Sequence, residues 1–353
     1  MLERVLILSD TKHLLIGYVD GRALPTVTPE DARKMTHINI AFGHVKNDAV
    51  TVENTQNLDF LPKLREYNPQ LEILLSVGGW SAGGFSEAAS TAEGRRKFAQ
   101  TSVEILRARK LDGIDIDWEY PTYGQAGIGA SPEDKYTFTL LLEELRNALD
   151  EQGQKDGRHY YLTIAAGAGQ YFVEGTEMDK AQKYLDWVQL MTYDMRGGFQ
   201  NTTGHHSNLY TPVGDLNRSS VVDTVRIFTE AGVPKEKLVI GAAFYSRMWK
   251  DVPNVNNGMY QMSPANGGYG PVYTDLAANY INKNGFVRYW DDVAKAPWLF
   301  DGSTFITYDD PESMAAKCAY LKKAGLLGIM FWEYSCDETH TLLDTLYKAL
   351  QAK

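Results

Sequence analysis

Cysteine is nearly missing from this sequence: Cys318 and Cys336 are the only two among 353 residues. Two thiols cannot form the cross-linked framework of a small secreted domain, and although the count allows one disulfide, both read as free. Basic charge is also in short supply. With 35 Lys and Arg against 45 Asp and Glu the net charge is −10, which excludes nucleic acid as an expected partner. Long apolar runs are absent too, none approaching the ~18 residues of a membrane-spanning helix, so no membrane partner is expected. The start, MLERVLILSDTKHLLIG, has a short apolar run after Glu3 and Arg4, well below the ~7–15 residues of a secretory core. A cytoplasmic location is therefore expected if Met1 is the natural start, and an extracellular one if the chain is a trimmed mature form. Metal and phosphate signatures are missing as well: His205 and His206 are adjacent, no HxH or HExxH spacing occurs, and Gly267-Gly268 stands outside any GxGxxG or P-loop pattern. No cofactor is expected.

What the chain does have is 44% hydrophobic residues, enough for a large core. Apolar runs of strand length recur along it: LLIGYV near residue 16, HINIAF near 40, LEILLSV near 74, IDIDW near 115, YLTIAA near 163, WVQLMTY near 190, KLVIGAAF near 240 and LLGIMFW near 329. Short continuous runs of this kind suit strands covered on both faces. Helical patterns fill the gaps. After the fourth run, Ser131-Pro132-Glu133-Asp134 predicts a helix start, Phe138, Leu141, Leu142, Leu145 and Leu149 hold one face, and Gly153 predicts the stop. Similar patterns end at Gly232 and at Gly325, the latter placing Cys318 on a buried face. Eight strands alternating with helices imply an α/β protein, a (β/α)8 TIM barrel. The interval between the seventh and eighth strands is far longer than the rest and holds GMYQMSPANGGYGPVY and RYWDDVAKAPWLF. A small α+β insertion is therefore expected at 247–305, with 1–246 and 306–353 forming the barrel.

The stretch LDGIDIDWEYP, Leu111 to Pro121, carries the chemistry. Alternation with period 2 sends Asp115, Asp117 and Glu119 to one face and Ile114, Ile116 and Trp118 to the other. Residues two apart on a strand are roughly 6.5–7 Å apart, close enough for like charges to raise the proton affinity of a carboxyl, as a general acid at neutral pH requires. The apolar reverse face argues against a solvated acidic edge. Hard cations usually draw carboxylates from several elements, which disfavours a metal site. Acid/base catalysis on a glycosidic bond remains the favoured reading. In such barrels the site lies at the C-terminal strand ends. There stand Glu119 and Tyr120 after the fourth strand, SVGGW after the third, MTYD after the sixth and FWE after the eighth. Aromatic faces and carboxyls converging on one mouth suit a sugar polymer.

With these motifs in place, the chain resembles the chitinases of glycoside hydrolase family 18 over nearly its whole length. DGIDIDWEYP matches the DxxDxDxE signature, SVGGW the SxGG motif, MTYD the sixth strand and the terminal FW the eighth. The insertion is similar to the α+β subdomain of the family's deep-cleft branch. The resemblance implies hydrolysis of β-1,4-linked N-acetylglucosamine with retention of configuration, the substrate's own acetamido carbonyl attacking the anomeric carbon to form an oxazolinium ion. It implies Glu119 as acid and then base, Asp117 as partner of the acetamido N–H, Asp115 as its proton-sharing neighbour, and Tyr193 as donor to the acetamido oxygen. Trp332 would floor the pocket with Met191 beside it, and Asp194 would bond a sugar hydroxyl.

Tyr18 and Ser76 correspond to positions supporting the inner acids, and Trp80 to an aromatic on the product side. Phe42, Tyr120 and Tyr245 are expected to line the pocket. Arg247 lies in FYSRMW, where Ser246 replaces a glycine frequent in the family. Asp112, off the catalytic face, is expected to be structural. The partner implied is chitin or a chitooligosaccharide, bound by a monomer. Three alternatives share the barrel: an endo-β-N-acetylglucosaminidase, a peptidoglycan hydrolase and a non-catalytic lectin. The lectin reading is disfavoured because Glu119 is present.

Overall fold

The computed structural model describes residues 13–352. Its strands are β1 (Leu14–Asp20), β2 (His37–Lys46), β3 (Ala49–Thr51), β4 (Glu72–Gly78), β5 (Gly113–Asp117), β6 (Tyr161–Gly167), β7 (Trp187–Met191) and β8 (Leu238–Ala243). Then come β9 (Tyr245–Trp249), β10 (Gly268–Val272), β11 (Val287–Asp291), β12 (Ala296–Phe300), β13 (Phe305–Thr307) and β14 (Gly328–Trp332). Neighbours in the order β1, β14, β8, β7, β6, β5, β4, β2 pair in parallel, and β2 pairs back to β1, closing the ring. The fold is a (β/α)8 barrel, and all eight apolar runs read from the sequence are its staves. Every residue of β5, β7 and β8 is buried, as strands enclosed by side chains within and helices without require. β3 lies outside the ring, antiparallel to β2.

β5 is held by its reverse face. Trp118, 1% exposed, stacks on Phe85 at 5.4 Å between ring centroids and meets Phe138 edge-on at 5.9 Å. Phe85 starts the helix Phe85–Ser90, and Phe138 belongs to the helix Asp134–Asp156, so two outer helices clamp the strand that carries the acids. At the strand's entry Asp112 is structural: its buried carboxylate accepts from the backbone N–H of Ile73 at 2.8 Å, from Arg65 at 2.7 Å and from Arg158.

The helix after β5 differs from the sequence reading at both ends. It begins at Asp134, whose carboxylate accepts from the N–H groups of Ser131 and Thr122 and from the Ser86 hydroxyl. It also runs past Gly153 to Asp156 and ends at Gly157 in the left-handed conformation, φ +67°. Gly153 is a close-packing glycine and not a stop, since a Cβ there would lie 2.4 Å from the Arg158 carbonyl oxygen. Cys318 is fully buried, and both cysteines are free thiols. Between β8 and β14 the chain builds a second, antiparallel sheet in the order β10, β9, β13, β12, β11, with Trp249, Phe300 and Phe305 in its own small core.

Candidate active site

The barrel's polar interior centres on Asp115. Its fully buried carboxylate accepts four hydrogen bonds: from Tyr18 Oη at 2.8 Å, Ser76 Oγ at 2.8 Å, Thr163 Oγ1 at 2.6 Å and Gln189 Nε2 at 2.8 Å. Burial raises its proton affinity while these donors work against the rise. Tyr18 and Ser76, expected to support the inner acids, both donate to this carboxylate. Thr163 and Gln189 were missed; the available signal was a polar residue inside an otherwise apolar barrel strand.

Asp117 is different in kind. Its Oδ1 is buried with no hydrogen-bond partner among the described residues, and its proton affinity is driven well above normal by burial, then by the charges of Glu119 and Asp115. The proton sharing expected between Asp115 and Asp117 concerns two neighbouring carboxyls: the charge of Asp115 is among the causes that raise Asp117, and Asp115 itself is held by its four donors. Asp117 keeps an unmatched buried oxygen, and the charge of Glu119 acts on the same carboxyl. A buried polar atom left open in this way is costly unless a ligand completes it.

Glu119 follows β5 at the mouth. Burial raises its carboxyl to about 7, with a hydrogen bond from Tyr120 lowering it and the charge of Asp194 raising it. It therefore holds its proton into the neutral range, where a solvated carboxyl would have lost it. Among the described residues Tyr193 Oη finds only the Met330 sulfur at 3.8 Å, so its hydroxyl is nearly uncommitted beside the acids. Asp194, in the left-handed conformation at φ +56°, accepts from Arg247 Nε at 2.6 Å and lies 3.7 Å from His206 Nδ1. Although burial works to raise it, His206 and Arg247 hold the Asp194 carboxyl well below its usual range.

The glycines of SVGGW have specific steric reasons. Gly78, at φ +126°, passes so close to β5 that a Cβ would sit 2.0 Å from the Asp117 carbonyl oxygen. Gly79, at φ +94°, donates its N–H to that oxygen at 2.9 Å and lies under the Phe42 ring, 2.8 Å from where a Cβ would be. Phe42 in turn stacks on Trp332 at 5.4 Å, and Tyr18 meets the same indole at 5.7 Å. Met191 is buried in the same inner cluster as Tyr18 and Ala165, with Tyr120, Tyr193 and Trp332 packed against it. Peptide bonds Ala41–Phe42, Glu119–Tyr120 and Trp332–Glu333 are cis.

Trp80 is half exposed, 6.5 Å from Tyr120 and 6.0 Å from Phe199. Phe199, on the loop after β7, is an exposed aromatic at the mouth that the sequence reading missed; it sits in a Gly-rich loop with no pattern to mark it. Tyr245 is buried beside Tyr193 at 6.0 Å and His206 at 5.5 Å, so it supports the wall more than it lines the open cleft. His205 faces Asp291 at 3.4 Å while His206 faces Asp194, and among the described residues no three His, Cys, Asp or Glu side chains gather as metal ligands.

The model for glycosyl hydrolases family 18 matches residues 15–337. A solved structure of a novel glycoside hydrolase family 18 N-acetylglucosaminidase from Paenibacillus barengoltzii superposes with a TM-score of 0.95 at 64% identity, covering 96% of this chain and 99% of that one. Chitinase A1 of Niallia circulans is 43% identical over 307 residues, 82% of this chain and 44% of that protein. Chitotriosidase-1 of Mus musculus is 33% identical over 320 residues, 87% of this chain and 68% of the relative. The chain thus spans less than half the length of chitinase A1.

Proposed function

This chain belongs to glycosyl hydrolases family 18, and from that premise we propose that it is a chitinase-type hydrolase cutting β-1,4 bonds between N-acetylglucosamine units with retention of configuration. The observation that carries the reading is the trio around one gap: a buried, unpartnered Asp117 Oδ1, an uncommitted Tyr193 hydroxyl, and Glu119 with its carboxyl raised to about 7. An acetamido group has one N–H donor and one carbonyl acceptor, the complement of what Asp117 and Tyr193 offer. Asp117 takes the N–H and Tyr193 donates to the carbonyl oxygen, which aims that oxygen at the anomeric carbon. Protonated Glu119 gives its proton to the leaving glycosidic oxygen as the carbonyl attacks. As positive charge develops on the oxazolinium ion, Asp117 holds the acetamido N–H and balances that charge through this hydrogen bond. Glu119, now a carboxylate, takes a proton from the water that opens the ion, returning the site to its starting state.

Asp115 keeps the interior anchored through its four donors, and Trp332 with Phe42 supplies an apolar floor for the sugar. Asp194, fixed by Arg247, bonds a sugar hydroxyl beside the cleavage point and supplies charge that keeps Glu119 protonated. The working form is a monomer.

A second reading concerns where the chain is cut. The 64% identity to an N-acetylglucosaminidase over almost all of both chains favours release of single N-acetylglucosamine units over internal cleavage. One experiment tests both points: a time course of N-acetylglucosamine hexamer hydrolysis, reading product lengths and anomeric form, with Glu119→Gln beside the wild type. Fresh β-anomer and a near-silent mutant are expected, with monomer as the first product on the second reading. A wild type that binds the hexamer and leaves it intact would sink the proposal.

A further inference from the structure

One wall of the cleft comes from the second sheet. β10 runs antiparallel to β9 with Tyr269 opposite Arg247, and the Arg247 guanidinium carbon lies 3.9 Å from the Tyr269 ring centroid. This is a cation–π stack. Tyr245 stands 5.7 Å away on the same wall. Despite these contacts the Tyr269 side chain is 67% exposed. Burial and then the charge of Asp194 raise its phenol, while Arg247 works against the rise.

The surrounding sequence fixes the tyrosine there. Gly267 packs on the Trp249 indole, where a Cβ would come within 2.4 Å, and at Gly270 a Cβ would lie 2.4 Å from Ser246 Oγ. These close approaches draw β10 tightly over β9. The buried Ser246 hydroxyl then donates to the Pro271 carbonyl at 2.6 Å, a clasp between the two strands that a glycine at 246 could not make. An exposed aromatic ring stacked on the arginine that holds Asp194 has the chemistry to receive the C–H face of a pyranose.

We propose that Tyr269, held by the Ser246–Pro271 clasp and stacked on Arg247, is a specificity-determining residue: its open face contacts a saccharide unit beyond the one in the catalytic pocket, and so sets preference by oligomer length. The inference rests on the N-acetylglucosamine hydrolase reading above. The competing role is a shield that only keeps water off the Arg247–Asp194 pair.

The test is kcat and KM measured separately on N-acetylglucosamine dimer through hexamer for wild type, Tyr269→Ala, Tyr269→Phe and Ser246→Gly, with melting temperatures. Tyr269→Ala is expected to raise KM for the longer oligomers about 3- to 10-fold, the range of one aromatic contact, with kcat little changed. KM for the shortest oligomer cleaved moves less than about twofold, and Tyr269→Phe retains wild-type length preference. Ser246→Gly shifts the same ratio in the same direction by a smaller factor. A hexamer-to-shortest ratio of kcat/KM unchanged in Tyr269→Ala, or an equal fall of kcat on all lengths, overturns the proposal. A wild type inactive on every oligomer instead removes the functional reading beneath it.

Discussion

The carboxyl of Glu119, raised to about 7 against an ordinary value of about 4.3, makes a prediction with two independent readouts. Activity comes first. A general acid must start protonated, so kcat/KM on the hexamer should fall about fivefold from pH 7 to pH 8 and about 50-fold from pH 7 to pH 9. Burial is the main cause of the raised value, and the negative charge of Asp194 adds to it. In Asp194→Asn that charge is gone, so the alkaline limb should move to lower pH while staying above the range of a solvated carboxyl. The same change leaves Arg247, a mostly buried side chain, without its 2.6 Å partner, so KM should rise as well. Stability is the second readout. Between about pH 4.3 and 7 the native state holds a proton on Glu119 that the unfolded chain has released, so stability falls as pH rises through that window. Glu119→Gln removes the penalty. It should be more stable than the wild type by about 2 kcal/mol at pH 8, after a discount for the carboxyl's partial exposure, and equal to it below pH 4. Urea denaturation at pH 4 and pH 8 measures this. An alkaline limb at one pH in both wild type and Asp194→Asn, or a stability difference that ignores pH, would refute the argument.

Two further perturbations probe the frame around the site. Gly78→Ala drives a Cβ to 2.0 Å from the Asp117 carbonyl at φ +126°, and should cost ~2 kcal/mol or more together with over tenfold in kcat, read by thermal melting and hexamer hydrolysis. Gly157→Ala, also at positive φ but with nothing within 4 Å, should cost only ~1 kcal/mol and keep full activity; equal behaviour of the two would contradict the steric account. Lys317→Ala leaves the buried Asp309 carboxylate, which accepts from the Ala243 N–H at 3.2 Å, without its cation, for a loss of about 3–5 kcal/mol in urea denaturation. A loss below ~1 kcal/mol would show that water reaches Asp309.

Much of this architecture was legible in the linear chain because its signals are local. Two-sided burial writes continuous apolar runs, so all eight staves could be counted. Strand alternation at Ile114 to Glu119 separates the acids from the Trp118 anchor, and both faces are used as that period dictates. The errors arose where one residue serves two geometries. Gly153 looks like a helix stop by type, yet it is there so that the Arg158 carbonyl can approach.

Amino-acid order by itself determined the barrel and the acid-bearing strand, because periodicity and motif spacing depend on neighbours along one chain. Tertiary structure alone decided how those acids differ. Thr163 from β6 and Gln189 from β7 reach Asp115 and complete its four hydrogen bonds, while Asp117 keeps a buried oxygen without a partner among the described residues and feels the charge of Glu119. The Tyr269 stack likewise depends on the register of β10 against β9 and on the Ser246 clasp. Hydrogen-bond saturation and burial are properties of three-dimensional surroundings, and the donors to Asp115 come from as far as 97 positions away.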